Sequence, residues 1–360
     1  MANDTIIQRL ATHPLSVPLK APFKIATSTL SAIDNLAVEI KLADGSTGWG
    51  EIPLLPPVTE DRDTVQDLLV QQSKLLAGRN AVDWHLIASE LRQHISECAA
   101  VRCGIEMALV DALLKSWRMP MYRFFGGASD SVITDITIPI CPPDEAEQLA
   151  KAYKKGGFTI IKSKIGHDID KDLERILAIK HGFRDCRLIL DANTGYNVNE
   201  TLDFLAELRK LSIVPDLLEQ PLAREDWDGM GQLAREAGVP IAADESCRSL
   251  RDAKRIISEG LAQVINIKLA KCGVAESLDI AAIARANNIG LMIGGMVETR
   301  IAMGFSAHFA AGLGGFDWID LDTPLLLADD PVIGGYMAEG PTYKLDTGDF
   351  GHGGRLKNIN

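Results

Sequence analysis

The segment Thr159-Ile160-Ile161-Lys162-Ser163-Lys164 joins an apolar, β-branched run to charged side chains. The same combination returns along the chain, and counted from Lys164 the next charged positions follow at intervals of 27, 28, 25 and 24 residues: Asp191, Glu219, Asp244 and Lys268. One strand, one helix and two short loops take about that length. Because the carboxyl ends of successive parallel strands meet at the mouth of a (β/α) barrel, this periodicity predicts such a barrel with charged groups at its mouth.

Strand and helix patterns alternate between residues 132 and 322, with eight predicted strands and seven helices. The first strand is predicted at 132–139, the first two helices at 143–155 and 168–182, and the last strand near 316–321. Helix N-caps are expected at Asp144, Asp168, Asn199 and Asp226. The fold class predicted for 128–322 is therefore α/β, a TIM-type barrel of eight strands and seven helices rather than an open sheet.

The first 127 residues follow a different pattern. Strand-like alternation over 35–42 passes through Asp44-Gly45 into 47–51, which is a strong hairpin signal. Helical periodicity then predicts three helices, at about 61–77, 81–96 and 99–117. This order indicates an N-terminal α+β domain over 1–127. The Gly- and Pro-rich segment 323–360 has no helical period, and we expect it to pack back on this first domain.

Composition argues against several classes of partner. The 360-residue chain has a net charge of −12, which disfavours nucleic acid and anionic membranes, although solubility alone explains the charge equally well. No run approaches the roughly 18–20 apolar residues of a membrane span. The start Met1-Ala2-Asn3-Asp4 lacks a secretion signal, and the six cysteines include no C-x-x-C pair. A cytoplasmic protein with reduced cysteines is therefore expected.

Three acidic residues end three adjacent predicted strands: Asp191, Glu219 and Asp244. Converging carboxylates would repel one another unless a cation joins them. Hard oxygen ligands favour Mg²⁺, with Mn²⁺ as a substitute, and the lack of accompanying His or Cys counts against zinc. The alternative is that each acid only caps the helix that follows it.

Two lysine sites accompany these acids. Lys162 and Lys164 share one face of a strand because side chains repeat with period two, and Lys268 ends a strand on about the opposite side of the barrel. A base on each face of a substrate carbon allows removal of a proton from one side and its return from the other, which inverts the carbon. Neighbouring cations are expected to lower the lysine pKa towards neutrality. The alternative is a set of rim lysines whose charges only reach solvent.

These motifs resemble one family. Leu190-Asp191-Ala192-Asn193, Glu219-Gln220-Pro221, Asp244-Glu245-Ser246 and Asn266-Ile267-Lys268 are similar to the enolase superfamily, muconate-lactonizing-enzyme subgroup. Mandelate-racemase-type members use a histidine after the seventh strand, and 294–298 carries none. Asp320-Leu321-Asp322 and Pro324-Leu325-Leu326-Leu327 look like the dipeptide epimerase branch. The resemblance covers nearly the whole chain and implies a capping domain, a modified (β/α)7β barrel and a C-terminal segment that returns to the cap.

The resemblance also implies a role for each matching residue. Lys164 and Lys268 would be the acid/base pair, and Lys162 would assist electrostatically at the substrate carboxylate. Asp191, Glu219 and Asp244 would bind Mg²⁺, with Asn193 and Glu245 supporting them from behind. Asp320 and Asp322 would hold the ammonium group of a dipeptide, unless they merely cap a turn before Pro324.

The substrate's second residue is the least determined feature. Relatives that act on Ala-Glu place an arginine in a lid loop of the first domain, where this chain has Phe23-Lys24-Ile25. Lysine lacks the bidentate fork of arginine, and the second lid loop, Leu54-Leu55-Pro56-Pro57, is apolar. We therefore expect an apolar second residue in preference to Glu. Thr137, Lys24, Met296 and Glu298 are further candidate substrate contacts.

The sequence thus predicts a Mg²⁺-dependent dipeptide epimerase that inverts the Cα of the C-terminal residue of L-Ala-L-Xaa dipeptides through an enediolate. An o-succinylbenzoate synthase or muconate cycloisomerase on the same framework is the first alternative. A non-catalytic ligand-binding barrel is the second, because fold alone does not establish catalysis. Assembly into a homo-oligomer is compatible with the sequence, but no segment identifies an interface.

Overall fold

The computed structural model describes residues 4–55, 59, 61–166 and 168–357. An antiparallel sheet opens the chain, with β1 (Ile7–Lys24), β2 (Thr29–Leu42) and β3 (Thr47–Ile52) in that order. The predicted hairpin is confirmed: β2 turns into β3 at Asp44-Gly45, where Gly45 has a φ of 89°. That left-handed conformation is readily available only to glycine.

Helices cover one face of this sheet: α1 (Arg62–Leu76), α2 (Trp84–His94), α3 (Ala99–Ser116) and the short α4 (Met121–Phe124), with a 3₁₀ turn at Ala81–Asp83. The sheet and α3 approach very closely at two glycines of β3. A Cβ at Gly48 would lie 2.1 Å from Ala108 O, and one at Gly50 would lie 2.0 Å from Gly104 O. Any larger residue there would push the helix off the sheet.

The barrel begins after β4 (Ser131–Ile133). Its strands are β5 (Ile136–Ile138), β6 (Ile160–Lys164), β7 (Arg187–Asp191), β8 (Leu217–Glu219), β9 (Ile241–Ala243), β10 (Val264–Ile267), β11 (Gly290–Ile293) and β12 (Trp318–Ile319). Neighbours in sequence pair in parallel throughout. The edges β5 and β12 meet where Asp135 N–H donates to Ile319 O at 2.9 Å.

Seven helices connect these strands: α5 (Pro143–Lys155), α6 (Ile169–Gly182), α7 (Val198–Lys210), α8 (Trp227–Glu236), α9 (Leu250–Glu259), α10 (Val274–Ala286) and α11 (Arg300–Leu313). The predicted α/β barrel with a capping α+β unit is confirmed. Asp168 and Asp226 are N-caps as expected, but Asn199 and Asp144 are not. Asn197 caps α7 through a capping box, and α5 starts at Pro143, so Asp144 lies inside its first turn.

The predicted strand 132–139 is wrong as a single element. β4 leaves the barrel and pairs with β15 (Thr342–Lys344), which also pairs with β14 (Met337–Glu339). Only β5 joins the barrel sheet. Period-two alternation is the same in both strands, and tertiary pairing decides which sheet each one enters.

The C-terminal segment contacts the first 127 residues. β13 (Val332–Ile333) pairs with β16 (Arg355–Leu356), and Val332 packs with Trp49 of β3. His352 N–H donates to Asp111 Oδ1 at 2.9 Å. These contacts agree with the expected return of the tail, while the limits 1–127, 128–322 and 323–360 stay predictions. No helix within the described ranges is long and apolar enough to cross a membrane.

Candidate active site

An apolar layer in the barrel supports the charged groups at its mouth. It comprises one inward side chain from each of several strands: Ile160, Ile189, Leu217, Ala242, Val264 and Met292, with Trp318 packed against it. Side chains of a strand repeat with period two, so two residues further along each strand the chain presents the next inward layer. That layer holds Lys162, Asp191, Glu219, Asp244, Asn266 and Asp320, and all of them are buried.

The three carboxylates predicted to hold a metal lie side by side in this layer. Asp191 and Glu219 are paired positions of β7 and β8, and Asp244 directly follows β9. Each side chain is at most 1 % exposed. Buried carboxylates at this density require positive charge beside them.

Lysines supply that charge from two sides. Lys162 Nζ lies 2.6 Å from Glu219 Oε2 and 3.0 Å from Asp191 Oδ2, and Lys164 Nζ lies 2.6 Å from Asp191 Oδ2. Lys268 Nζ lies 2.6 Å from Asp244 Oδ2. Three strands separate β6 from β10 in either direction around the barrel, so Lys164 and Lys268 approach the carboxylates from opposite sides.

The pKa shifts of these lysines differ from the sequence-based expectation. Burial lowers the pKa of Lys268, but the carboxylates of Asp244 and Glu219 outweigh it and raise the pKa above its usual value. The same balance, with Asp191, Asp320 and Glu219, holds the pKa of Lys162 well above its usual range. The protein's own carboxylates therefore move the pKa of Lys162 and Lys268 upward, in the direction opposite to the expected lowering. Burial and Asp191 meanwhile raise the pKa of Glu219 to about 8.

The donor set suits a hard divalent cation. The ligand atoms that Asp191, Glu219 and Asp244 offer are all oxygen. Among the described residues, no His or Cys lines the cavity above these carboxylates. Oxygen ligands without nitrogen or sulfur favour Mg²⁺ or Mn²⁺ over zinc. The residues present therefore fit the predicted metal.

A second acidic cluster lies beside the first. Carboxylate oxygens of Asp135, Asp320 and Asp322 come within 4.8 Å of one another. Lys162 Nζ joins this cluster to the other one, at 2.7 Å from Asp320 Oδ2. Asp322 Oδ2 accepts a hydrogen bond from Thr137 N–H at 2.6 Å. Asp322 Oδ1 and both Asp135 oxygens have no hydrogen-bond partner among the described residues, so the cluster retains capacity to bind a cationic donor.

Sequence reasoning missed Asp135. It is fully buried, and burial together with Asp320 and Asp322 raises the pKa of its carboxyl well above the usual value. A signal for it existed, since Asp135 stands two residues before Thr137 and so faces the same side. Lys271 was also missed. Lys271 follows Lys268 by three residues, and its Nζ lies 2.7 Å from Asp244 Oδ1.

The cavity above both clusters has a volume of about 130 Å³ and two unlike sides. Lys162, Lys164, Asp244, Lys268, Asp320 and Asp322 form its charged floor. Its apolar wall comes mainly from the first domain and comprises Phe23, Ile25, Leu30, Leu55 and Val297. Thr137 and Met296 also line it, as predicted for substrate contacts. Pro56 and Pro57, the other half of the second lid loop, lie outside the described residues.

Similarity to two known domain families identifies the fold of this chain. Residues 144–358 match the family described as enolase C-terminal domain-like. Residues 8–126 match the mandelate racemase/muconate lactonizing enzyme N-terminal domain. The chain belongs to the mandelate racemase/muconate lactonizing enzyme family of the enolase superfamily. The barrel and the capping sheet of this chain are thus parts of one known architecture.

Curated relatives of this family member are epimerases. It is 50% identical over 357 residues to an L-Ala-D/L-amino acid epimerase of Populus trichocarpa, covering 97% of this chain and 85% of the relative. It is 45% identical over 355 residues to an aromatic dipeptide epimerase of Herpetosiphon aurantiacus, covering 98% and 99%. A dipeptide epimerase from Enterococcus faecalis, solved with Mg and the dipeptide L-Leu-L-Tyr, superposes with a TM-score of 0.93 at 31% identity, covering 97% and 99% of the two chains.

Two predicted substrate contacts of this family member do not reach the cavity. Lys24 is exposed and does not line it, although its neighbours Phe23 and Ile25 do. Side chains alternate along a strand, so Lys24 points to the face opposite that of Phe23 and Ile25. Glu298 is 2 % exposed and lies behind the wall, where its Oε2 accepts a hydrogen bond from Met296 N–H at 2.8 Å. Glu298 therefore positions the Met296 loop, and neither Lys24 nor Glu298 lines the cavity.

The loops that follow β7 and β8 are strained. Asn193 and Gln220, two and one residues after Asp191 and Glu219, have φ values of 40° and 35°. A positive φ costs conformational free energy in a non-glycine residue, and functional sites commonly contain residues in this conformation. Asn193 N–H donates to Asp191 Oδ1 at 3.0 Å, and its side chain reaches Glu245 Oε1 at 3.3 Å. Asn193 and Glu245 thus contact each other beside the carboxylates, and both line the cavity.

Proposed function

We propose that this protein is a Mg²⁺-dependent dipeptide epimerase that inverts the Cα of the C-terminal residue of L-Ala-L-Xaa dipeptides with an apolar Xaa. One observation carries the proposal. Lys164 and Lys268 face each other across the carboxylate triad of Asp191, Glu219 and Asp244. A second acidic cluster, formed by Asp135, Asp320 and Asp322, has oxygens without hydrogen-bond partners among the described residues and adjoins the triad through Lys162. The first feature suits proton transfer at carbon, and the second suits an ammonium group.

The substrate's orientation follows from the two unlike sides of the cavity. The cationic N-terminus of a dipeptide would pair with Asp320 and Asp322, since charge-assisted hydrogen bonds favour ammonium beside carboxylate. The side chain of the second residue would pack on Phe23, Ile25 and Leu30. The names of two similar proteins, an aromatic dipeptide epimerase and an L-Ala-D/L-amino acid epimerase, support this assignment.

The reaction requires one proton to leave Cα and another to return on the opposite face. One lysine of the Lys164/Lys268 pair takes the proton as a neutral amine, and the other gives a proton as an ammonium group. Lys162 lies beside the place of the substrate carboxylate and stabilises the negative charge that develops there. Mg²⁺ bound by Asp191, Glu219 and Asp244, or Mn²⁺ in its place, would supply Lewis-acid stabilisation of the same charge. The two end states differ only in configuration, so no further reactant is needed.

The cycloisomerase and lyase alternatives use the same metal ligands and lysines. Their substrates carry no ammonium group, so the cluster of Asp135, Asp320 and Asp322 would have no ligand to bind. A cluster of buried acids costs stability unless a cation or hydrogen-bond donors balance it. This cluster therefore favours the dipeptide epimerase.

The test is proton exchange in deuterium oxide. Purified protein loaded with Mg²⁺ is incubated with pooled L,L-dipeptides, and each dipeptide is followed by mass spectrometry and chiral chromatography. We expect a gain of one mass unit, together with the L,D product, in dipeptides with an apolar second residue. Chelation of the metal with EDTA should stop both, and Mg²⁺ should restore them.

N-acetylated copies of the same dipeptides are the matched control, because they lack the ammonium group but keep the reacting carbon. Exchange in no dipeptide pool would contradict the proposal. The o-succinylbenzoate precursor and muconate would then be the substrates to assay.

A further inference from the structure

A second cavity, of about 640 Å³, lies where the first domain meets the outer rim of the barrel. Its walls come from α2, the start of α3, and the first turns of α8 and α9. Six arginines line it: Arg92, Arg102, Arg224, Arg248, Arg251 and Arg255. Lys271 is a seventh cation, whereas Glu97, Asp252 and Glu276 are the acids of this lining. A chain with a net charge of −12 has thus gathered an excess of positive charge around one space.

Two cations that line this cavity, Arg102 and Lys271, are buried. Arg102 is 4 % exposed, and it donates to Ile95 O at 2.9 Å and to Ser96 O. Its Nε atom is buried without a hydrogen-bond partner among the described residues. Lys271 is 5 % exposed, and its Nζ already donates to Asp244 Oδ1, Asp244 O and Asn266 O. Buried cations are costly unless an anion or a set of acceptors balances them.

Other cations of this wall are incompletely neutralised. Arg251 is exposed and has no ion-pair or hydrogen-bond partner within the described ranges. Arg224 has only a 3.7 Å contact with Glu225, and Arg92 only a 3.6 Å contact with Glu276. Exposed pairs at such distances contribute little energy, so these side chains remain available for a ligand.

A helix terminus adds to the positive potential. α3 is 18 residues long and begins at Ala99. Ala99, the first residue of α3, lines the cavity. The first N–H groups of a helix lack intrahelical partners and carry partial positive charge, which is the usual environment for a phosphate group.

We infer that this cavity binds a compact polyanion with several phosphate groups. Arg255 already pairs with Glu259 and Lys271 with Asp244, so a bound anion would chiefly balance Arg102, Arg224 and Arg251, and guanidinium forks match phosphate oxygens in pairs. Ala99 and Trp227 are the two apolar residues of the described lining, so the ligand's body must be polar. The Trp227 ring already packs with Arg255, whose Cζ lies 4.4 Å from the ring centroid.

This site is distinct from the active-site cavity but touches it. Arg248 and Lys271 line both spaces. Lys271 Nζ also contacts Asp244 Oδ1, so an anion in the second cavity would lie one side chain away from the carboxylate triad. The inference does not rest on the proposed function, because it concerns binding alone.

Isothermal titration calorimetry tests this inference. Tripolyphosphate, pyrophosphate and ATP are titrated into the full-length protein in buffer without added divalent cations, so that chelation of free Mg²⁺ produces no heat. We expect saturable binding of tripolyphosphate that weakens with added salt. Comparable binding of ATP would assign the cavity to nucleotides, whereas weaker ATP binding would assign it to inorganic polyphosphates. Both results support a polyphosphate site.

The double variant Arg224→Ser/Arg251→Ser removes two exposed cations of the wall. Binding of tripolyphosphate should weaken at least about tenfold, because each residue loses a charge-assisted hydrogen bond. Arg184→Ser is the matched control, since Arg184 is exposed and does not line the cavity. Absence of binding by the wild type, an unchanged affinity in the double variant, or an equal loss in Arg184→Ser would each overturn the inference.

Discussion

Lys164 and Lys268 are the side chains on which inversion should depend. Each contacts one carboxylate of the triad, at 2.6 Å from Asp191 and Asp244 respectively. Lys164→Ala and Lys268→Ala should each lower the rate of epimerisation about a thousandfold or more, because a general base or acid is lost. Either variant can still exchange the α-proton of one enantiomer in deuterium oxide, since the other lysine remains.

Chiral chromatography together with mass spectrometry separates these two effects. Lys171→Ala is a suitable control, because Lys171 is exposed on α6 and its ion-pair partner among the described residues is Asp168. If both active-site variants kept wild-type turnover, the acid/base assignment would be wrong.

Asp320 should act on the substrate's ammonium group rather than on its reacting carbon. Asp320→Asn should reduce kcat/KM for free dipeptides by roughly thirtyfold, through the loss of a charge-assisted hydrogen bond. N-acetyl dipeptides carry no ammonium group, so their already low kcat/KM should change far less. Steady-state kinetics with both substrate sets measures the difference. An equal loss on the two sets would remove Asp320 from ammonium binding.

At the scale of elements, the turn between β1 and β2 should select the substrate's second residue. Ile25 and Lys24 are adjacent, but Ile25 lines the cavity and Lys24 points to solvent. Ile25→Ala should therefore lower kcat/KM for an apolar second residue about tenfold, because buried apolar area is lost.

Lys24→Ala is the matched substitution one position away. It should leave kcat/KM within about twofold for apolar and acidic second residues alike. A large loss for L-Ala-L-Glu in Lys24→Ala would show that Lys24 reaches the substrate after all, and it would restore the contact that the structure disfavours.

For the whole molecule, His308 should make stability depend on pH. It lies buried in α11, where Nδ1 accepts a hydrogen bond from Tyr122 N–H at 3.2 Å and Nε2 is 3.1 Å from Gly335 O. It therefore joins α4, α11 and the C-terminal segment. Burial, with a contribution from His352, lowers the pKa of His308 to about 3. The unfolded chain binds a proton near pH 6.5, so stability must fall as pH drops through 6.5 towards 3.

Urea unfolding at two pH values measures this contribution. Between about pH 7 and about pH 5, His308 alone should cost about 2 kcal/mol of unfolding free energy. His308→Gln should be less stable than the wild type at pH 7 but should lose about 2 kcal/mol less on acidification. His94→Gln changes an exposed histidine and should keep the wild-type slope. Equal slopes in all three proteins would show that folding does not lower the pKa of His308.

Residue order alone determined the barrel and the positions of its strand-end charges. Strands alternate with period two, and parallel strands end on one side, so spacing and residue type were sufficient to group Lys162, Lys164, Asp191, Glu219, Asp244 and Lys268. The tertiary structure alone decided which strand Val132 joins, that Lys24 turns outward, and that Asp135 lies with Asp320 and Asp322. It also brought Arg102 and Arg251 to one cavity. Those outcomes depend on contacts between segments that are far apart in sequence, and local periodicity carries no information about such contacts.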